Sequence, residues 1–346
     1  LEWYQSYYES YYGAMGKNPA SINNIFPWNE DWVRELEKRA ADDSYEDWRV
    51  NSSGKYEYFG NTDWHDIVYK NHTTSQQHNI SLSGGGKKSN YFISGRFFKQ
   101  NGIYNSNNEN YKQFNLRAKG SLQVTDWLQL SNNTDFVRRR FRQPRVSYMY
   151  QNRMLTINRM LEHQGYPLTL EKNPDGSWTE ASVYSGWAGF VEGDTYQDNF
   201  KFDIKNTTSL TAEIIKDRLI ANADFTYLFG HSEQDRVNNQ HEFSNGPGLK
   251  ALREEYSDFE HRSYKTNYLA ANATLTYKPN FGTSHRVSLL GGWNIEDKEY
   301  IRTLQSRDGL LVPSKPNFSL MDGTNYTIRD LGSYSWGFGG VFFRGT

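Results

Sequence analysis

Polar and apolar residues alternate along most of this chain, with a period of two that starts near His78 and continues to the C-terminus. The clearest run is Phe114, Leu116, Ala118, Gly120, Leu122 and Val124, interleaved with Asn115, Arg117, Lys119, Ser121 and Gln123. Successive side chains of a β-strand point to opposite faces, so such a run describes a strand with one oily side and one wet side. Phe200, Phe202 and Ile204 alternate with Lys201, Asp203 and Lys205, and Leu219, Ala221, Ala223, Phe225, Tyr227 and Phe229 form a longer series. Leu269 to Tyr277 and Val287 to Ile295 repeat the pattern, and Tyr334, Trp336, Phe338 and Phe342 mark its last apolar side. About nine strands are predicted, over residues 77–84, 89–100, 111–124, 127–140, 199–213, 218–231, 263–278, 285–298 and 331–343. Many exceed ten residues, whereas globular strands average about five or six and a tilted strand needs about nine to eleven to cross a bilayer.

The connections follow a rule of their own. Residues 84–88, Thr125-Asp126, 215–217 and 279–284 are short, while 101–110, 141–198, 232–262 and 299–330 are long. Short and long alternate throughout, as in a membrane barrel with tight periplasmic turns at one end and external loops at the other. The expected fold is therefore all-β, an antiparallel transmembrane β-barrel wall with long extracellular loops. The first 76 residues read differently, as an extracellular loop region with short helices ahead of barrel strands over 77–346. Asn29 to Ala41 predicts a helix in which Asn29 caps, Lys38 and Arg39 suit the last turn, and Trp32, Val33, Leu36 and Ala40 share a face. Leu1 to Tyr12 is a second helix candidate.

Composition agrees with strands that are half wet. Only 36% of the residues are hydrophobic and the mean hydropathy is -0.86, yet 10 Trp, 25 Tyr and 20 Phe are present. Disordered chains are poor in aromatics, whereas strands favour them. Phe97, Phe98, Tyr227, Phe229, Tyr277 and Trp293 gather near strand ends, as an interfacial girdle or simply as strand-formers. Charge is balanced at 39 basic against 40 acidic residues, which speaks against a nucleic-acid partner. Cysteine is absent, removing disulfide and thiol chemistry. No apolar run of about 18 residues exists, so a helical span is excluded and a barrel is not. Residue 1 is Leu and no signal peptide leads the chain, so it reads as a processed or an internal piece.

Tyr58-Phe59-Gly60-Asn61-Thr62-Asp63-Trp64-His65-Asp66 resembles the G-N-T-D-W stretch of the SusC/RagA family of TonB-dependent transporters. His78 to Gly85, Asn90 to Ser94, Gln100 to Tyr104, Tyr111 to Leu116 and Asp126 to Leu128 are similar to that family's early barrel strands, in the same order. The resemblance covers residues 56–136. It implies a plugged outer-membrane barrel, a SusD-like surface lipoprotein as lid, the TonB complex as energy source, and import of glycans or peptides across the bacterial outer membrane. The chain departs from that plan in having no recognisable plug, no TonB box and too few strands. Nine strands occupy about 270 residues here, so a barrel of about 22 strands would need about 650. The expectation is thus an internal portion of a longer transporter. The alternative is a soluble secreted β-protein, a propeller or sandwich, that binds glycans.

Chemical motifs are sparse. The eight histidines are scattered, and Glu254, Glu255, Asp258 and Glu260 read as solvated loop carboxylates. Gly84 to Ser89 joins two strands instead of opening a helix, so it is a turn and not a phosphate loop. No catalytic residue, metal or cofactor is predicted, and the chain is not expected to be an enzyme. By the parity of Phe136, Arg138, Arg140 and Arg142 point outward, where guanidinium forks would meet outer-membrane lipid, above all lipopolysaccharide phosphates; a solvated rim or lumenal ion pairs are the alternative. The 141–198 loop holds Tyr148, Tyr150, Trp178, Tyr184, Trp187 and Tyr196. Aromatic rings stack on sugar and peptide groups, which makes Trp178, Tyr184 and Trp187 candidates for substrate or lid contact, against loop self-packing.

Overall fold

The computed structural model describes residues 2–17, 30–106, 109–146, 157, 160, 161, 165–252, 257–281 and 285–346. In chain order the elements are α1 (Glu2–Met15), α2 (Glu30–Ala40), β1 (Trp48–Val50), β2 (Tyr56–Tyr58), α3 (Trp64–Val68), β3 (Ser75–Gly85), β4 (Ser89–Asn101), β5 (Asn110–Thr125) and β6 (Leu128–Pro144). β7 (Trp178–Thr179), α4 (Glu180–Tyr184) and α5 (Trp187–Glu192) follow. Then come β8 (Tyr196–Ile215), β9 (Leu219–Asn238), β10 (Glu242–Gly246), β11 (Leu249–Leu252), β12 (Asp258–Tyr277), β13 (Leu289–Asp308), β14 (Tyr326–Asp330) and β15 (Tyr334–Gly345).

All nine predicted strands form, as one antiparallel sheet in the order β3-β4-β5-β6-β8-β9-β12-β13, with β15 and the short β14 both on the free side of β13. Four of them run 20 residues, longer than predicted: β9 continues to Asn238 and β13 to Asp308, while β12 starts at Asp258. The cause is legible on β9. Its outward side is apolar from Leu219 to Phe229 and then becomes His231, Glu233 and Asp235, so the alternation of oil and water stops while the ladder continues. The apolar stretch of eleven residues rises about 34 Å, or about 24 Å along the normal at a tilt of about 45°, against an apolar band of about 25 Å in outer-membrane barrels. The predicted helix forms as α2, with Asn29 outside the described residues.

The exposure pattern is the inverse of a soluble sheet. On β5, Phe114, Leu116, Leu122 and Val124 are 42–48% exposed, whereas the alternating Gln113, Asn115, Ser121 and Gln123 are half-buried. Leu275, Trp293 and Ile295 on β12 and β13 are as open, and among the described residues no second layer covers them, as a sandwich would require. The accessible surface is 21100 Å², against about 14,500 Å² for a folded monomer of this mass. A chain so built keeps its apolar side for a non-aqueous neighbour. Its free edges at β3 and β15 carry backbone groups that hydrocarbon cannot satisfy, so the wall closes only with further strands.

Register corrects one reading. Tyr334, Trp336 and Phe338 lie opposite Tyr300, Lys298 and Glu296, on the polar face, and it is Val341 and Phe343 that share the side of Trp293. The buried apolar clusters all lie at the long-loop end, for example Tyr4, Trp32, Leu36, Tyr56, Tyr58, Phe59 and Leu168 around α1, α2 and the β1–β2 hairpin. At the other end 86–88, 126–127 and 216–218 are tight turns, whereas the connection expected over 279–284 runs over 278–288 because β13 starts only at Leu289; at one of the tight turns Asp217 adopts φ 61, a left-handed conformation that Asp tolerates.

The band predicts a depth-dependent cost. In the full-length protein refolded into vesicles, Ala223→Arg in mid-band should cost about 2–4 kcal/mol, and Ser263→Arg, on the same side above the band, about 0–1 kcal/mol. Equal costs in a denaturant titration would contradict the assignment.

Candidate functional site: the wet face and its rim

The wet face carries ion pairs and amide hydrogen bonds at several heights. Arg117 pairs with Asp135 (3.1 Å) and Lys201 with Asp203 (3.1 Å). Higher up, Glu260 bridges Arg236 (3.0 Å) and Arg262 (2.9 Å), and Arg236 also donates to Gln197 Oε1 (3.2 Å). Asn199 Oδ1 accepts from both Gln197 (3.0 Å) and Gln234 (2.9 Å). Arg145 sits behind this group just beyond β6. Burial, and then the neighbouring Arg236, push its guanidinium down to about 10, still charged at neutral pH. Gln234 Oε1 and the Arg139 Nε are buried without a hydrogen-bond partner among the described residues, so this wall holds unused donor and acceptor capacity. The misread aromatics join it: Trp336 stands edge-on to Tyr268 (6.4 Å) and Tyr300 packs against Tyr334 (5.3 Å). Alternation alone could not find them, because on β15 both faces carry aromatic rings; the ladder to Lys298 and Glu296 does.

Above the sheet, the rim is organised by the G-N-T-D-W stretch. Asp63 caps α3, accepting from the His65 N–H (2.9 Å) and the Asp66 N–H (3.2 Å). Trp64 donates its indole N–H to the Tyr166 carbonyl (2.9 Å) and stacks on Trp187 at 5.4 Å. The Gly60 and Thr62 N–H groups donate to the carbonyls of Leu168 (3.1 Å) and Pro167 (2.7 Å). A Cβ on Gly60 would lie 2.7 Å from Leu170 Cδ2, so a larger residue here would require the Leu170 side chain to move. The motif is therefore the joint between the N-terminal region and the long loop after β6. Tyr58 extends the joint by donating to Asn173 Oδ1 (2.7 Å), its phenol held protonated by burial, which pushes it well up.

The loop candidates separate by burial. Trp187 is fully buried, wedged between Trp64 and Phe190. Trp178 is 8% exposed and packs on Ala188 and Phe243, with the Lys172 ammonium 4.3 Å from its ring. Tyr184, ending α4, is half-buried. Tyr148, Tyr150, Glu254 and Glu255 lie outside the described residues. The three arginines all fall on the outward side of β6, opposite Phe114, Lys112 and Asn110. Arg140 is forked onto Asp198 (2.6 Å), Arg142 lies 3.5 Å over the Tyr196 ring, and Arg138 is exposed with its guanidinium 5.5 Å from the Phe200 ring. Below them, Phe114, Phe136, Phe202 and Phe229 meet edge to face across four strands, at 5.2–6.1 Å. Among the described residues no group of three or more His, Asp or Glu side chains is placed to hold a metal.

No family model matches the chain. The TonB-dependent receptor P3 of Formosa agariphila is 26% identical over 68% of this chain and 23% of that protein. The RagAB peptide importer in its open-open state superposes over 98% of this chain and 36% of its own, with a TM-score of 0.62 at 16% identity. A second RagAB peptide transporter structure gives 0.60 over 93% and 36%, again at 16% identity. This chain has the fold of a stretch of the RagAB barrel wall. The chain spans about a quarter to a third of the length of the relatives it matches.

The joint should be separable from the sheet. Trp64→Ala should cost about 3–5 kcal/mol and Asp63→Ala about 1 kcal/mol. Limited proteolysis should then cut within residues 165–195 while the barrel keeps its heat-modifiable mobility; an uncut rim would contradict the assignment.

Proposed function

We propose that this chain forms part of the wall and rim of a multi-pass outer-membrane importer that takes up oligosaccharides or oligopeptides at the expense of TonB-coupled energy. The observation that carries the reading is the pairing of an outward apolar band about 24 Å tall with a polar inner wall crowned by packed loops at one end. The likeness to a TonB-dependent receptor and to a peptide importer supports the same reading. On this reading the chain is a conduit and has no catalytic role.

On this reading the wet face handles the solute. Guanidinium and amide groups at Arg236, Gln197, Asn199 and Gln234 suit backbone amides and sugar hydroxyls equally, and Trp336, Tyr268, Tyr300 and Tyr334 offer stacking surfaces. Direct contact with substrate or with a SusD-like lid lipoprotein falls to Tyr184 among the loop candidates, while Trp178 and Trp187 shape the loop that carries it. Arg138 is the outward arginine best placed to meet lipopolysaccharide phosphates. The TonB complex would act through parts of the transporter beyond this wall.

The test is uptake by cells that depend on the full-length transporter. Replacing Trp336 and Tyr300 together by Ala should raise the half-saturating substrate concentration about 3- to 10-fold, with surface display unchanged, and deleting TonB should abolish uptake. Unchanged uptake in both strains would overturn the proposal.

A further inference from the structure

The ladder places three cations side by side on the outward face: Lys99 opposite Lys112, and Lys112 opposite Arg140. Like charges directly opposite one another destabilise a sheet unless something of the other sign answers them. Arg140 has its answer in Asp198, with contacts of 3.0 and 2.6 Å from Nε and Nη2. Lys99 and Lys112 have no carboxylate within ion-pair distance among the described residues.

The two lysines face a concavity of about 470 Å³ that they share with Lys70, His72, Thr73, Ser106 and Glu109. Lys70 uses one ammonium proton on the Gly102 carbonyl (3.5 Å), leaving two. Glu109 adds one negative charge to the lining, with Oε2 accepting the Tyr104 N–H at 3.0 Å, so the three ammonium groups leave the pocket net positive. Ser106 is 1% exposed and its hydroxyl has no hydrogen-bond partner among the described residues. Three ammonium groups and an unused buried hydroxyl, set against one carboxylate, make a receptor for an anion with several oxygens.

Its height fixes which anion. Lys99 and Lys112 stand one ladder step above Phe97 and Phe114, the last outward aromatics of β4 and β5, where hydrocarbon gives way to headgroups. We propose that this pocket binds the phosphoryl headgroup of an outer-leaflet lipid, seating the wall against its own membrane. The inference rests on the barrel reading above. Lysines serve phosphate as point charges and need no fork geometry, which fits a headgroup that arrives from the side.

The experiment uses the full-length transporter extracted in mild detergent from carbonate-washed outer membranes, a step the protein fails if the barrel reading is wrong. Native mass spectrometry and phosphorus NMR then report retained phosphorylated lipid. Wild type should retain it, Lys99→Gln/Lys112→Gln should lose it severalfold, and Lys99→Arg/Lys112→Arg should keep it. Lys119→Gln/Lys205→Gln, the same charge change on the wet face, should keep it too. Heat-modifiable mobility checks that each variant assembles. Equal retention by the double Gln variant would overturn the proposal. So would a wild type that retains no lipid and is stabilised by inorganic phosphate alone, which would assign the pocket to a free anion.

Discussion

The rest of the structure depends on an antiparallel ladder that satisfies the backbone groups of every strand between its two free edges. A strand with hydrocarbon on one side has no water there to receive an unpaired N–H or carbonyl, so irregular backbone is confined to the ends. That is where it is found. Three of the four connections at the foot, 86–88, 126–127 and 216–218, are two or three residues long, with 278–288 the exception; the register shifts between Gln123 and Thr125 and between Glu213 and Ile215 sit beside the short ones, and the loops that enclose packed clusters leave from the top. Where the outward side does turn polar inside the band, at Asn132, Thr134, Asn206 and Thr208, the four side chains bond to one another at 2.7–3.3 Å, so their polar groups are answered locally.

Stability is divided accordingly. The sheet owes little to a hydrophobic core, because its apolar side chains are turned outward and its inner face is held by ion pairs and amides. The loops behave oppositely: they enclose small dry clusters, such as Trp64, Trp187, Phe190, Met160 and Val68, like a globular domain set on the rim. A third cluster, Val237, Phe259, Leu310 and Met321, packs the loop after β13 against the upper outward side of the sheet, above the apolar band. The wall is thus bounded above by protein packing and below by tight turns, with the band between.

Most of the sheet was legible because a period of two is a direct consequence of two solvents. Its limits in the sequence mark where that asymmetry ends: above Phe229 the outward side turns polar or packs under a loop, and no alternation signals the strands there. β15 failed for the opposite reason, since Trp336 and Phe343 are aromatic on opposite faces and only pairing with Lys298 and Gly291 tells them apart. The roles of the site residues were less legible. Trp187 is an aromatic loop residue by sequence and the centre of a core by structure, and the mating of residues 58–66 with 166–173 joins segments about a hundred positions apart. The cation row of Lys99, Lys112 and Arg140 likewise exists only through register. The resemblance at Gly60 to Trp64 pointed to the right architecture, and the structure supplies the physical work of those residues as a cap, a stack and a close approach.

The central claim is that the apolar side of the ladder meets lipid and the polar side meets water. Spin labels placed singly at residues 113–118 and 271–276 of the reconstituted full-length protein test it most directly, read with dissolved oxygen as the lipid-phase relaxant and a nickel chelate as the aqueous one. Oxygen should dominate at 114, 116, 118, 271, 273 and 275, and the chelate at the positions between. Labels at 116 and 275 that are shielded from both relaxants would mean a second protein layer on that face, and would contradict the account.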